Sequence, residues 1–238
     1  MKRLILFIVF SLSLFTNWKR ADGNHVNDTL KSHLSYVQDI PSDLQLLLNG
    51  RIWWNAYSRA VGHQFFATSD YLTGDLTFEG RKYRNLTFRY DIIHDELLLA
   101  LPLKPVVILN KEMVDSFTLR YNNRIYKIVN MGSDSSEVRG YVNVLYEGNS
   151  ALYVKYIKEI QPLASEGKYD RIIEKHKIFV RIDSAVVRIA GKGQLLELLS
   201  DRKKELKEFE RKQNYIIGRR DPYTFVPLLE YYDSLREK

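Results

Sequence analysis

Asp91, His94, Asp95 and Glu96 form the densest group of ionisable side chains in the sequence. A carboxylate beside a histidine can orient the imidazole for general-base work, and carboxylates with histidine can hold a metal ion. All four sit in or beside one tight turn, where Asp91 and Asp95 also have an ordinary role in hydrogen-bonding turn backbone. A second candidate group is aromatic: Trp53, Trp54 and Tyr57. Adjacent residues on a strand face opposite ways, so one tryptophan is expected inside and the other outside. An outward aromatic face can stack on a sugar ring or anchor a protein partner, whereas burial in a core is its plainer use.

Other chemistry lacks its residues. His25, His33, His63 and His176 are scattered, and no H-E-x-x-H pair exists. No G-x-S-x-G elbow supplies a serine nucleophile. Gly191-Lys192-Gly193 precedes a helix but lacks the P-loop frame. The absence of cysteine excludes disulfides, a thiolate nucleophile, thiolate zinc and a cysteine-linked lipid anchor. The expectation is therefore no catalytic residue, no cofactor and no metal.

The elements that must position these residues are short strands separated by turns. Tyr71 to Phe78 alternates, Glu79-Gly80 turns it, and Arg81 to Tyr83 pairs back. Leu86 to Tyr90 alternates again, with Leu86, Phe88 and Tyr90 on one face. Asp91 to Asp95 is a turn, and Glu96 to Leu101 the next strand. Hairpins follow around Asn122-Asn123, Glu147-Gly148-Asn149 and Asp183-Ser184. Strands recurring about every ten residues with short turns predict an antiparallel meander. The period changes near Gly193. Leu195, Leu196, Leu198, Leu199, Leu206 and Phe209 recur at helical spacing, with Lys, Arg and Glu between them. Gly193 is the expected cap and Gly218 lies past the end. Asp221 and Pro222 then open a second helix, with Phe225, Leu228, Leu229, Tyr232 and Leu235 as its stripe. The fold class is α+β: an antiparallel meander of eight to ten strands, curled into a sandwich or partial barrel, followed by two C-terminal helices. The Leu and Phe stripe of Leu195–Gln213 is expected to cover the sheet. The alternative use of that helix presents Arg202, Lys203, Lys207 and Arg211 to a membrane surface in a peripheral contact.

Several of these segments resemble a group of uncharacterised exported β-rich proteins of Bacteroidota. The likeness rests on order: Tyr71 to Gly80 (Tyr-Leu-Thr-Gly-Asp-Leu-Thr-Phe-Glu-Gly), Tyr83 to Leu86, Arg89 to Ile92 with Asp95, Gly140-Tyr141, Val144 to Gly148, Leu195 to Tyr215, and Tyr231 to Asp233. It runs from Leu48 to Leu235. The resemblance implies an exported location and a sheet closed by a Lys- and Glu-rich helix, and it carries no catalytic residue across. Lys192-Gly193-Gln194 departs from it, standing where a serine cap and two lysines are usual.

The N-terminus is consistent with export. Lys2 and Arg3 precede an apolar run from Leu4 to Phe15, interrupted only by Ser11 and Ser13. Two cations followed by about a dozen apolar residues is the layout of a secretory signal peptide, too short to span a bilayer. The expected organisation is a signal peptide over 1–21, a linker over 22–48, an antiparallel β domain over 49–192 and a helical segment over 193–238. Trp18-Lys19-Arg20 are awkward flanks for cleavage, so its position stays open. The whole chain of 238 residues carries a net charge of +7. Loss of Lys2, Arg3, Lys19 and Arg20 lowers it to +3. Residues 168–220 hold 15 Lys and Arg against 8 Asp and Glu. A basic stretch attracts phosphate-rich or acidic polymers, although a solvated helix face is the plainer role. In the periplasm or cell envelope, nucleic acid is not the expected partner.

Two function classes follow. The first is a non-enzymatic binding or scaffold module of the envelope, with an envelope protein or a glycan as partner. The second is an envelope hydrolase whose site is assembled from acids such as Asp91 and Asp95.

Overall fold

The computed structural model describes residues 44–102, 104–132, 138–162, 169–213 and 216–236. The expected leader, most of the expected linker, His25 and His33 lie outside the described residues. The chain divides into two compact units, Met1–Leu46 and Leu47–Lys238, and the described architecture is that of the second.

The described residues form eleven strands: β1 (Arg51–Ile52), β2 (Leu72–Phe78), β3 (Arg81–Asp91), β4 (Glu96–Ala100), β5 (Val107–Ile108), β6 (Val114–Tyr121), β7 (Arg124–Asn130), β8 (Tyr141–Glu147), β9 (Ser150–Gln161), β10 (Arg171–Ile182) and β11 (Ala185–Ile189). All pair antiparallel in one sheet, in the order β1-β5-β4-β3-β2-β6-β7-β8-β9-β10-β11. The sheet grows both ways from β2. Hairpins built on β3, β4 and β5 extend one side, and the meander β6 to β11 extends the other. The count exceeds the expected eight to ten, and β1 and β5 are only two residues long.

Local chemistry sets the register. Asn122 and Asn123, at φ 48° and 59°, make the two-residue turn that joins β6 to β7. Paired left-handed residues match strand twist, and asparagine tolerates them. Arg81–Tyr83 and Leu86–Tyr90 belong to one strand, interrupted by Asn85 at φ 53°. The pairing of β2 with β3 shifts between Gly74 and Leu76 at that point. Gly74 is required there, because a Cβ would overlap the Thr118 carbonyl oxygen of β6.

The sheet curls without closing. Asp95, in the turn after β3, reaches Lys155 of β9 although β2, β6, β7 and β8 lie between those strands in the sheet.

Three helical segments cover one face: α1 (Lys192–Leu198), α2 (Lys203–Gln213) and α3 (Val226–Arg236). Leu195, Leu196, Leu199, Leu206, Phe225, Leu228 and Leu229 join Leu152, Ile178, Val180 and Ile189 of the sheet in one buried cluster. The predicted first helix is broken at Leu199, and a 3-10 turn (Ser200–Arg202) separates α1 from α2. Ser200 and Asp201 favour such a break, because their side chains compete for backbone hydrogen bonds. The N-cap is Gly191, not Gly193, and the Gln194 side chain accepts from the Ala190 N–H at 2.6 Å, supplying an acceptor where a serine cap is missing. Asp221 accepts from the Tyr223 N–H at 3.1 Å, with Pro222 at the first position, as predicted. Buried Asp233 ties α3 to the β8–β9 hairpin by accepting from Tyr146 Oη at 2.9 Å and the Ser150 N–H at 2.8 Å. A smaller cluster of Val138, Val142, Ala151, Tyr153 and Phe179 forms a second core.

Candidate functional site

The two candidate groups of the sequence meet in the structure. The loop after β1 carries Trp53, Trp54 and Tyr57 to the turn that carries His94. Its path is fixed at four points. The Trp53 N–H donates to Val106 O at 2.9 Å, beside β5. Val61 exchanges backbone hydrogen bonds with Asp170 and Ile172 at 2.8 and 2.9 Å, at the start of β10. Gln64 O accepts from the Ile92 N–H at 2.9 Å, and the Phe66 N–H donates to Tyr90 O at 2.8 Å, at the end of β3. Lys158 of β9 donates to His63 O at 3.0 Å and Phe65 O at 2.5 Å. Burial pulls the Lys158 ammonium below its ordinary range, and Glu174 at 3.5 Å partly offsets it.

Asp91 is wholly buried at the end of β3. Its Oδ1 accepts from the Ile93 and His94 N–H groups at 2.9 and 3.1 Å, the turn-forming role expected of it. Its Oδ2 contacts His94 Nδ1 at 2.9 Å and accepts from Gln64 Nε2 at 3.2 Å. His94 Nε2 lies 3.1 Å from Tyr57 Oη, with the two rings stacked at 5.5 Å. Burial, then the Asp91 charge, pushes the Tyr57 phenol above its ordinary range.

Asp95 turns the other way. At φ 58° it ends the turn in a left-handed conformation. Its Oδ2 accepts from Lys111 Nζ at 2.5 Å, Lys155 Nζ at 2.9 Å and the Tyr141 N–H at 3.3 Å, and its Oδ1 accepts from Tyr90 Oη at 2.6 Å. Burial alone would raise this carboxyl. The Lys155 charge and the hydrogen bonds from Lys111, Tyr90 and Lys155 outweigh it and hold Asp95 below its ordinary value. Asp91 and Asp95 share none of these partners, so the two acids do not form a proton-sharing pair.

His94 lines two adjoining pockets. One, of about 160 Å³, is bounded by Arg51, Trp53, Trp54, Ala56, Gln64, Glu96 and Ile108. The other, of about 320 Å³, shares Arg51, Glu96 and Ile108 with it and is completed by Leu109, Asn110, Lys111 and Glu112. Arg51 Nη2 donates to Glu96 Oε1 at 2.7 Å across them. Trp53 is half-buried against Phe65, with ring centroids 5.9 Å apart. Trp54 is 74% exposed and Ile52 68%. The sequence singled out Trp53, Trp54, Tyr57, Asp91, His94 and Glu96 as candidates, and the structure brings these six together while separating Asp95. Gln64, Arg51 and Lys158 carried no local signal, because their roles depend on strands distant in sequence. Of the remaining histidines, His63 lies 3.3 Å from Lys158 Nζ and His176 Nε2 lies 2.8 Å from Arg219 O. Among the described residues no group of three or more His, Asp or Glu is arranged to hold a metal ion. No described helix is long and apolar enough to cross a membrane.

Compared with protein-family models, with curated proteins and with solved structures, the chain matches none.

Proposed function

We propose that the chain is an exported cell-envelope protein, of the Bacteroidota group it resembles, that binds a glycan in the cleft beside His94. The observation that carries the binding reading is Trp54. An indole left 74% in water at the rim of a polar cleft offers a partner a large, rigid apolar face. Ile52, at the end of β1, is exposed as well, at 68%. The C–H face of a sugar ring fits such a surface. Arg51, Glu96, His94 and Asn110 supply donors and acceptors for its hydroxyls. The polar groups are held by one another and by the turn, so little ordering is needed when a ligand enters.

Tryptophan fluorescence titration of the protein against a panel of envelope glycans tests this. A saturable change with at least one glycan is expected. Trp54→Ala should weaken that glycan about 30-fold, the scale of truncating a central aromatic anchor. No change with any glycan, or unaltered affinity in Trp54→Ala, refutes the reading.

A further inference from the structure

Tyr57, His94 and Asp91 stand in series, at 3.1 Å and 2.9 Å. The hydrogen positions follow from the chemistry. A carboxylate can only accept, so His94 Nδ1 carries the hydrogen that faces Asp91. Nε2 of the neutral ring is then an acceptor, and the Tyr57 hydroxyl donates to it. A buried carboxylate, an imidazole of fixed tautomer and a hydroxyl in contact with its free nitrogen make up the layout of base-assisted nucleophilic attack. Tyr57 also borders a third pocket, of about 270 Å³, with Arg59, Tyr169 and Asp170. Arg59 lines the same pocket, which places a guanidinium near negative charge developing on a substrate oxygen.

We propose that Tyr57 is an acyl-accepting nucleophile, with His94 as its general base and Asp91 as the positioning residue, and that the substrates are carboxylic esters. Tyr57 Oη attacks the ester carbonyl carbon, and its proton passes to His94 Nε2. The ester C–O bond breaks, and His94 returns the proton to the departing alkoxide. The acyl group is left on Tyr57 as an aryl ester. Water then attacks that carbonyl, His94 takes the water's proton, and the carboxylic acid leaves as Tyr57 regains its hydrogen. An aryl oxide leaves readily, so release is not the slow step on chemical grounds. The inference goes beyond glycan binding and does not require it. If both hold, O-acylated sugars are the class that the Trp54 surface would select.

The full chain is treated with p-nitrophenyl acetate, following p-nitrophenolate release and locating acetyl groups by peptide mass spectrometry. Tyr169 borders the same pocket, is 52% exposed and serves as an internal reference for unassisted tyrosine. Two results support the proposal: acetylation of Tyr57 about 100-fold faster than Tyr169, or steady p-nitrophenolate release that Tyr57→Phe abolishes. His94→Ala should slow the Tyr57 reaction by a similar factor and leave Tyr169 unchanged, with circular dichroism verifying the fold. Equal reactivity of Tyr57 and Tyr169 in the native protein, with no release dependent on Tyr57, overturns it without reference to any variant. Because the probe contains no sugar, its failure leaves the glycan titration standing, and failure of the titration leaves the ester chemistry standing.

Discussion

Asp95→Asn removes one charge and little else. Asparagine has nearly the same shape and tolerates the left-handed conformation that Asp95 adopts at φ 58°, so the turn need not move. Two ammonium groups then lose their counter-ion, Lys111 at 2.5 Å and Lys155 at 2.9 Å. Breaking a buried pair by removing one partner costs about 3–5 kcal/mol. The expected loss here is smaller, for structural reasons. The Lys111 side chain is 34% exposed and can turn to water. Lys155 retains the carbonyls of Arg139 at 2.7 Å and Tyr141 at 3.3 Å. We expect Asp95→Asn to destabilise the fold by roughly 2–3 kcal/mol at neutral pH, a large share of the 5–15 kcal/mol that typical domains possess.

The pH dependence supplies a sharper check. The Asp95 carboxyl is held below its ordinary value of 3.8, so its contribution to stability is complete above that value and is lost as pH falls through the lower, folded one. Lys155 is also displaced downward, first by burial, which alters stability only on the alkaline side. Urea unfolding followed by far-ultraviolet circular dichroism, from neutral pH into the acid range, should show the native protein and Asp95→Asn converging below pH 3.8. A neutral-pH difference under about 0.5 kcal/mol, the scale of an ordinary surface change, would refute the reasoning. So would a difference that stays constant into acid.

Two further substitutions probe the frame of the cleft. Lys158→Met keeps the apolar stem and removes the donors to His63 O and Phe65 O, at about 1–3 kcal/mol for buried acceptors left without partners. Hydrogen exchange should quicken at the Phe66 and Ile92 amides and stay unchanged in the β6–β7 hairpin; no change at Phe66 would show that the lysine does not hold the loop. Gly74→Ala should cost several kcal/mol, because the new methyl overlaps the Thr118 carbonyl and neither backbone can yield without breaking the β2–β6 pairing. A thermal midpoint equal to that of the native protein would show that the close approach is not obligatory.

Hairpins were the most legible part of the chain. Asn122-Asn123 and Glu79-Gly80 mark turns by residue type, and alternation through Leu86, Phe88 and Tyr90 marks the buried face. The strand order was less accessible. That β6 pairs with β2 instead of continuing from β5 follows from the Gly74–Thr118 contact, between residues distant in sequence. The break at Leu199 was hidden because the apolar stripe continues through it on both sides. The ionisable cluster was visible at Asp91–Glu96, yet adjacency concealed its division. Neighbouring acids in a turn look alike in sequence, and only the fold separates them: the curl of the sheet brings Lys155 to one, and the loop after β1 brings Gln64 to the other.

That division explains why His94 stands where it does. The turn is held at both ends by carboxylates with different partners. Asp95 binds it to β8 and β9 through Tyr141 and Lys155, and Asp91 binds the turn's own backbone and, through Gln64, the loop after β1. Ile92 between them is buried. His94 is left with one nitrogen on Asp91 and a side chain 42% exposed. A charged network of this kind is a poor investment in stability alone, since apolar replacement of a buried ion pair often does as well or better. Its value lies in orientation. In the chemistry proposed above, an imidazole meets a hydroxyl at 3.1 Å and needs a backbone that does not wander by about an ångström, and the acids at either end of the turn hold it there.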